Sequence, residues 1–339
     1  MRSAFHPFLP NGLFGDPAVW IDAPDLGRCL LLDLGELHRL PARKLLRVDR
    51  AVVTHTHMDH FIGFDYLLRL LLRRQRELTL SGPAGFIEQV RARIAGYTWN
   101  LLASYPVRFT VEEVAADRVR RCLFTAANGL RGEPLDERDL AGALYAGHGY
   151  RLTCATFDHG IPVLGARIDE TEPLAVNAAA LRRSGLAPGA WLGELKRCVR
   201  EGRSPSTPIR AMTAGGGERD VVPAELVGTV VHKRAGQSIA YLTDLAPTCT
   251  NLARARELAA DVDLLICEAA FLERDAALAA ERGHLTAHVA GRLARDAGAQ
   301  RLAPFHFSPR YAGRGAELMA EAAAAFGGPL VELSHGPNV

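Results

Sequence analysis

Short apolar runs alternate with stretches of helical periodicity along most of the chain. Leu30-Leu31-Leu32 and Ala51-Val52-Val53-Thr54 read as buried strands, the first ending in Asp33-Leu34-Gly35 and the second in a cluster of histidines. Phe61 to Gln75 carries apolar residues at helical spacing with few breakers and predicts a helix. Leu78-Thr79-Leu80 predicts a strand that stops at Ser81-Gly82-Pro83, a turn signal, and Phe86 to Ile94 predicts a helix. From there to about Tyr150 the pattern is mixed, with strands at Arg118–Phe124 and Tyr150–Phe157. Strand and helix then alternate: Ser238–Thr243 and Asn251–Ala259, Leu264–Cys267 and His288–Ala297, and a last buried strand at Arg301–Pro304. Interleaving without a strict βαβ period predicts a layered α/β architecture.

Composition narrows the class. With 339 residues, 48% of them hydrophobic and 23% charged, the chain is long enough for a large core. No apolar run approaches the ~18 residues that span a bilayer. The longest candidate, Leu67–Leu72, is broken by Arg69 and closed by Arg73 and Arg74. Nothing before Pro10 resembles a signal peptide, so a cytoplasmic protein is expected. The six cysteines (29, 122, 154, 198, 249 and 267) are scattered without a C-x-x-C pair and read as reduced thiols.

The net charge of +2 is unevenly spread. The turn-rich segment 177–210 holds Arg182, Arg183, Lys196, Arg197, Arg200, Arg203 and Arg210 against Glu194 and Glu201, a net +5. It reads either as a solvated surface helix or as an inserted arm that touches a polyanion.

The strongest chemical signal is His55-Thr56-His57-Met58-Asp59-His60, with four candidate metal ligands in six residues directly after a strand. In extended chain, residues i and i+2 point the same way, so His55 and His57 suit one metal. Asp59 and His60 face elsewhere as the chain enters a helix and suit a second. Imidazole with carboxylate fits zinc or manganese, and the absence of thiolate argues against a zinc finger or iron–sulfur site. The alternative is a polar loop in which Asp59 caps the following helix.

H-x-H-x-D-H after a strand resembles the metallo-β-lactamase superfamily. The resemblance implies a four-layer αβ/βα sandwich, a single domain over 1–339 with the arm 177–210 inserted in it, and a metal pair at one sheet edge. It implies that His159, Asp244 and His306, each at the end of a later strand, complete the sites. One set is His55, His57, His159 and Asp244; the other is Asp59, His60, His306 and the shared Asp244.

Within the superfamily, several stretches resemble ribonuclease Z, the endonuclease that trims 3′ trailers from precursor tRNA. They are Phe157 to Ile168 (FDHGIPVLGARI), Leu181 to Lys196 (LRRSGLAPGAWLGELK), Cys267 to Phe271 (CEAAF), Gly283 to Ala287 (GHLTA) and His306 to Tyr311 (HFSPRY). The resemblance implies two divalent ions, zinc first with Mn2+ or Fe2+ as substitutes, that polarise a phosphodiester and activate water. It implies Asp59 as proton acceptor, His284 oriented by Glu268 as acid for the leaving oxygen, and Arg310 as stabiliser of charge on phosphorus. Lys196 and Arg197 on the arm would touch RNA, and the family implies a homodimer. A structural Glu268–His284 pair and a surface salt bridge at Arg310 are the plain alternatives for these residues. His6, His38, His148, His232, His288 and His335 are unassigned, with His288 one helical turn from His284.

The chain departs from the family in parts that read substrate. The region from Phe5 to Val19 lacks the family's Pro-x-Lys-x-Arg-Asn loop, and the arm's Gly-Pro becomes Gly189-Ala190. Gly-Asp-Thr becomes Thr243-Asp244-Leu245, and the His and Thr of His-Glu-Ala-Thr become Cys267 and Ala270. Two other readings therefore stand beside precursor tRNA. One is hydrolysis of a small or cyclic nucleotide phosphodiester, or of an ester or lactone. The other is RNA binding without turnover.

Overall fold

The computed structural model describes residues 4–73, 77–171, 173–200, 206–334 and 336. Eight strands come first: β1 (His6–Phe8), β2 (Val19–Ala23), β3 (Arg28–Leu32), β4 (Val48–Val52), β5 (Leu78–Pro83), β6 (Arg108–Ala115), β7 (Arg118–Thr125) and β8 (Glu133–Asp139). They pair in that order into one sheet, parallel from β3 to β6 and antiparallel outside. Helices α1 (Ala42–Leu45), α2 (Met58–Phe61), α3 (Phe64–Leu71) and α4 (Phe86–Ala95) lie in its connections. On α3 the buried residues are Phe64, Leu67, Leu68 and Leu71, the one-face spacing of an amphipathic helix.

The chain continues through β9 (Tyr145–Gly147), β10 (Tyr150–Asp158) and β11 (Pro162–Glu170). An insert follows: β12 (Leu174–Val176), α5 (Ala178–Arg183), α6 (Trp191–Arg200), β13 (Ile209–Met212), β14 (Glu218–Val221), α7 (Pro223–Leu226) and β15 (Val231–Lys233). The last part is β16 (Ser238–Leu242), α8 (Cys249–Leu258), β17 (Leu264–Glu268), α9 (Ala276–Glu281), α10 (Ala287–Asp296), β18 (Leu302–Phe305) and α11 (Gly315–Phe326). The second sheet has the order β18-β17-β16-β11-β10-β9.

Alternation along the strands divides the core into layers. On β3, Cys29 and Leu31 face α3 and α4, whereas Leu30 and Leu32 face the second sheet. On β16, Ala240 and Leu242 face α8, α10 and α11, whereas Ile239 and Tyr241 face the first sheet. The result is the expected αβ/βα sandwich, with an apolar layer between the sheets and one beneath each helical face. Among the described residues no helix is long and apolar enough to cross a membrane.

Three expectations change. The strand expected to stop at Ser81 runs on to Pro83, because β5 pairs with β6 along its whole length, Pro83 opposite Val114. Gly82 fits there because its face lies against Phe86, where a Cβ would stand 2.3 Å from the ring. The single helix expected over Phe61 to Gln75 divides into α2 and α3 at Gly63, and Gln75 lies outside the described residues. The insert also extends past 177–210 at both ends. Its β12 and β15 pair, Leu174 opposite Lys233, and residues from Leu174 to Val231 share a small apolar core around Trp191 and Leu195. Net charge alone shows neither end, since Leu174–Val176 carries no charge and Val231–Lys233 adds a single lysine.

Gly63 joins the fold to the chemistry. Leu34 N–H donates to the His60 carbonyl at 2.9 Å and Gly63 N–H to the Leu34 carbonyl at 2.8 Å, so the chain after β3 clamps the α2 turn. A Cβ at Gly63 would lie 2.1 Å from the Gly35 carbonyl oxygen. Gly63→Ala is therefore expected to cost about 1–3 kcal/mol in urea unfolding and to reduce bound metal per chain, read by elemental analysis.

Candidate metal centre

The carboxyl ends of β4, β10, β16 and β18 meet at one edge of the sandwich, the place where α/β sheets bind ligands. His55 and His57 follow β4, His159 follows β10, Asp244 follows β16 and His306 follows β18. Asp59 and His60 stand in α2. One group of close donor atoms comprises His55, His57, His159 and Asp244, and another comprises Asp59, His60 and His306. All seven residues expected to hold metal thus converge at one cleft of about 610 Å3, which His57, Asp59, His159, Asp244 and His306 line together with Phe14, Asp16, Arg282 and Arg310, while His55 and His60 are fully buried.

Hydrogen bonds leave one nitrogen on several of these rings pointing inward. His60 Nδ1 donates to Asp33 Oδ2 at 2.9 Å. His55 Nδ1 contacts Thr54 Oγ1 at 3.1 Å, and that hydroxyl donates to Asp33 Oδ1 at 2.9 Å. His159 Nδ1 donates to the Gly283 carbonyl at 2.8 Å. The opposite atoms, Nε2 of His55, His60 and His159, lie 3.7, 3.5 and 3.6 Å from Asp244 Oδ2. For His55 and His60 this atom is buried without a hydrogen bond among the described residues. Buried polar atoms are nearly always satisfied, and unpartnered lone pairs facing a carboxylate fit a shared cation.

The electrostatics fit the same conclusion. Burial and the neighbouring His60 push His55 down to about 2, so its imidazole is neutral. Burial works against Asp244, but His306 and His60 outweigh it and hold the carboxyl well below its usual range. Burial likewise opposes a charge on His306, but Asp244 overrides it and raises that imidazole to about 10. Protons and divalent cations compete for the same lone pairs in such a site.

Three residues at strand ends hold left-handed backbone: Asp33 (φ 61°), Asp244 (φ 54°) and His306 (φ 57°). That conformation is costly for residues other than glycine and clusters at functional sites. Here it is braced. Thr243 Oγ1 donates to Asp244 Oδ1 at 2.7 Å, and Leu245 N–H donates to Glu268 Oε1 at 2.9 Å. Phe307 N–H donates to the Leu13 carbonyl at 2.8 Å.

The residues expected to do proton chemistry adjoin the cluster. Glu268 is fully buried, and its Oε2 accepts from His284 Nδ1 at 2.9 Å. Burial disfavours a charge on His284, but Glu268 outweighs it and raises the imidazole pKa. Arg310 lines the cleft, 3.6 Å from Asp275 and over the Tyr311 ring. Lys196 is a correction: it is buried on α6 and ion-paired with Asp25, so its ammonium is not presented to a ligand. Arg197 is exposed, as are Arg182 and Arg183, whereas Arg210 is neutralised by Glu218 and Asp220 across the β13–β14 hairpin.

Sequence reasoning missed Asp33. Its carboxylate has no solvent exposure and accepts from Thr54 N–H, Thr54 Oγ1, His60 Nδ1 and, at 2.7 Å, Tyr241 Oη. The available signal was a carboxylate directly after a run of buried leucines. It also missed Phe14, Asp16 and Arg282, whose place in the cleft depends on loops folding over it.

This fold and donor set define a metal-dependent hydrolase of the metallo-β-lactamase fold. A family model described as Beta-lactamase superfamily domain matches residues 196–307. The chain is 34% identical to ribonuclease Z of Deinococcus radiodurans, over 87% of this chain and 88% of that protein. It is 32% identical to ribonuclease Z of Kineococcus radiotolerans, over 86% and 78%. The fold is that of the Bacillus subtilis metallo-beta-lactamase fold protein YhfI (TM-score 0.56, 16% identity, 98% of each chain). It is also that of human tRNase Z, short form (TM-score 0.52, 17% identity, 97% and 94%). The chain belongs to the ribonuclease Z family.

Asp33→Asn keeps the side-chain shape but removes the charge that orients His60. Metal affinity is expected to fall about 10- to 100-fold, measured by competition with a chelating indicator. Unaltered affinity would show that His60 orientation does not depend on Asp33.

Proposed function

We propose that the protein is an endoribonuclease that removes 3′ trailers from precursor tRNA with two divalent ions, zinc first and Mn2+ or Fe2+ as substitutes. The observation that carries this reading is the convergence of five imidazoles and two carboxylates on one cleft. His55, His57, His159 and Asp244 would hold one ion; Asp59, His60 and His306, sharing Asp244, would hold the other. An imidazole and carboxylate donor set without thiolate supports zinc. Ions bound there supply Lewis acidity toward the phosphodiester and toward water.

The chain's own residues supply the rest. Asp59 remains a carboxylate, held down to about 2 by His306 and His60 despite its burial, and accepts a proton from the attacking water. His284, whose protonated form Glu268 favours, donates to the 3′ oxygen as the phosphorus–oxygen bond breaks. Phosphate then stays on the trailer and a hydroxyl on the tRNA. Arg310 stabilises charge on the phosphorus oxygens, and Arg182, Arg183 and Arg197 on the insert grip the substrate backbone. A homodimer in the cytoplasm is part of the same proposal.

A trailer-bearing precursor tRNA tests it. Cleavage is expected at the 3′ end of the acceptor stem, abolished by chelation or His57→Ala and restored to the chelated wild type by zinc or manganese. An intact trailer alongside hydrolysis of bis(p-nitrophenyl) phosphate would reassign the substrate to a small diester. His284→Ala is expected to lower kcat about 10²- to 10⁴-fold while the protein still binds two ions per chain. Loss of an ion in that variant would make His284 a ligand and not the acid.

A further inference from the structure

We infer that Arg282 is a substrate-positioning residue that holds a phosphate flanking the scissile one. The inference rests on the reading of the protein as a precursor-tRNA endonuclease, and it gives the cleft a direction.

The cations around the cleft differ in how far they are committed. Arg310 stands 3.6 Å from Asp275 and lies over Tyr311. Arg314 is bound to Glu317, and Arg274 is shared between Glu317 and Asp275. Arg282 is exposed, lines the cleft, and its guanidinium has no ion pair or hydrogen bond among the described residues. A guanidinium has five donors and takes phosphate in a bidentate fork.

Its backbone is fixed relative to the chemistry. Arg282 N–H donates to the Leu278 carbonyl at 3.0 Å at the end of α9, and His284 N–H to the Ala279 carbonyl at 2.8 Å. Between them the Gly283 carbonyl accepts from His159 Nδ1. A Cβ at Gly283 would stand 2.7 Å from that nitrogen, and the residue has φ 72°, so the turn tolerates only glycine there. One short turn therefore carries a cluster histidine's hydrogen-bond partner, the uncommitted guanidinium and the acid His284.

Another part of the lining, next to Asp59 and His306, has the wrong sign for a phosphate. There the chain from Phe14 to Pro17 presents Asp16 and no cation, in the region where the family's basic loop is missing. A polyanion lying across the centre is thus repelled on the Asp16 side and held on the Arg282 side.

Steady-state cleavage of precursor tRNA by wild type, Arg282→Ala and Arg282→Lys at several salt concentrations tests this. Arg282→Ala is expected to raise KM about 10-fold, the size of one charge-assisted contact, with a much smaller effect on kcat. The ratio of its kcat/KM on precursor tRNA to that on bis(p-nitrophenyl) phosphate should fall by a similar factor. The slope of log(kcat/KM) against log[salt] should flatten by about 0.7–0.9, one phosphate contact, and Arg282→Lys should restore the slope. Equal losses on both substrates, or a kcat effect with unaltered salt slope, would overturn the inference. Wild type that leaves the trailer intact would overturn the substrate reading and this inference together. An active wild type matched by Arg282→Ala would overturn this inference alone.

Discussion

A single buried carboxylate ties the two sheets to the chemistry. Asp33 leaves the end of β3 in the first sheet and receives the hydroxyl of Tyr241 from β16 in the second. The same two oxygens hold the backbone and hydroxyl of Thr54, which begins the histidine segment, and the ring of His60. A buried carboxylate must find donors or cost several kcal/mol. Satisfying Asp33 therefore requires the sandwich to close in one register, and that register sets the ring of His60 and, through Thr54, that of His55.

The second constraint is charge. Asp59 and Asp244 face each other through a set of imidazoles, and the inward nitrogens of His55 and His60 have no hydrogen-bond partner among the described residues. Such an arrangement is unfavourable by itself and favourable around cations. Left-handed backbone at Asp33, Asp244 and His306 adds local strain, which the surrounding apolar layers and backbone hydrogen bonds hold in place. Glu268 serves two ends of this frame, bracing the turn after Asp244 and orienting His284.

The parts that meet substrate are less regular. The insert has its own small core and lies against the turn Pro24–Leu26, where Lys196 and Arg200 reach Asp25. This contact consumes basic residues that a charge count credits to a ligand. The exposed cations of the insert are spread over α5 and α6, and the cleft lining carries Asp16 as well as Arg282 and Arg310. Recognition would thus depend on the direction in which a polyanion enters.

Much of this was legible along the chain because it is local. Short apolar runs and period-3.6 patterns marked β3, β4, β16, β17, α4, α8 and α10 within a few residues, and β7 and β10 were marked as well, since strands between two layers are buried on both faces and helices on one. The six-residue histidine motif needs only a strand followed by a helix to become half of a metal cluster. Strand β8 was invisible because all its residues are polar or half-exposed and it is held by Arg–carboxylate pairs to β7, not by an apolar face. The partners of Asp33, the committed state of Lys196 and the freedom of Arg282 were equally invisible. Each depends on atoms dozens to hundreds of positions away, so only closure of the sandwich decides which charges are matched and which remain to meet a ligand.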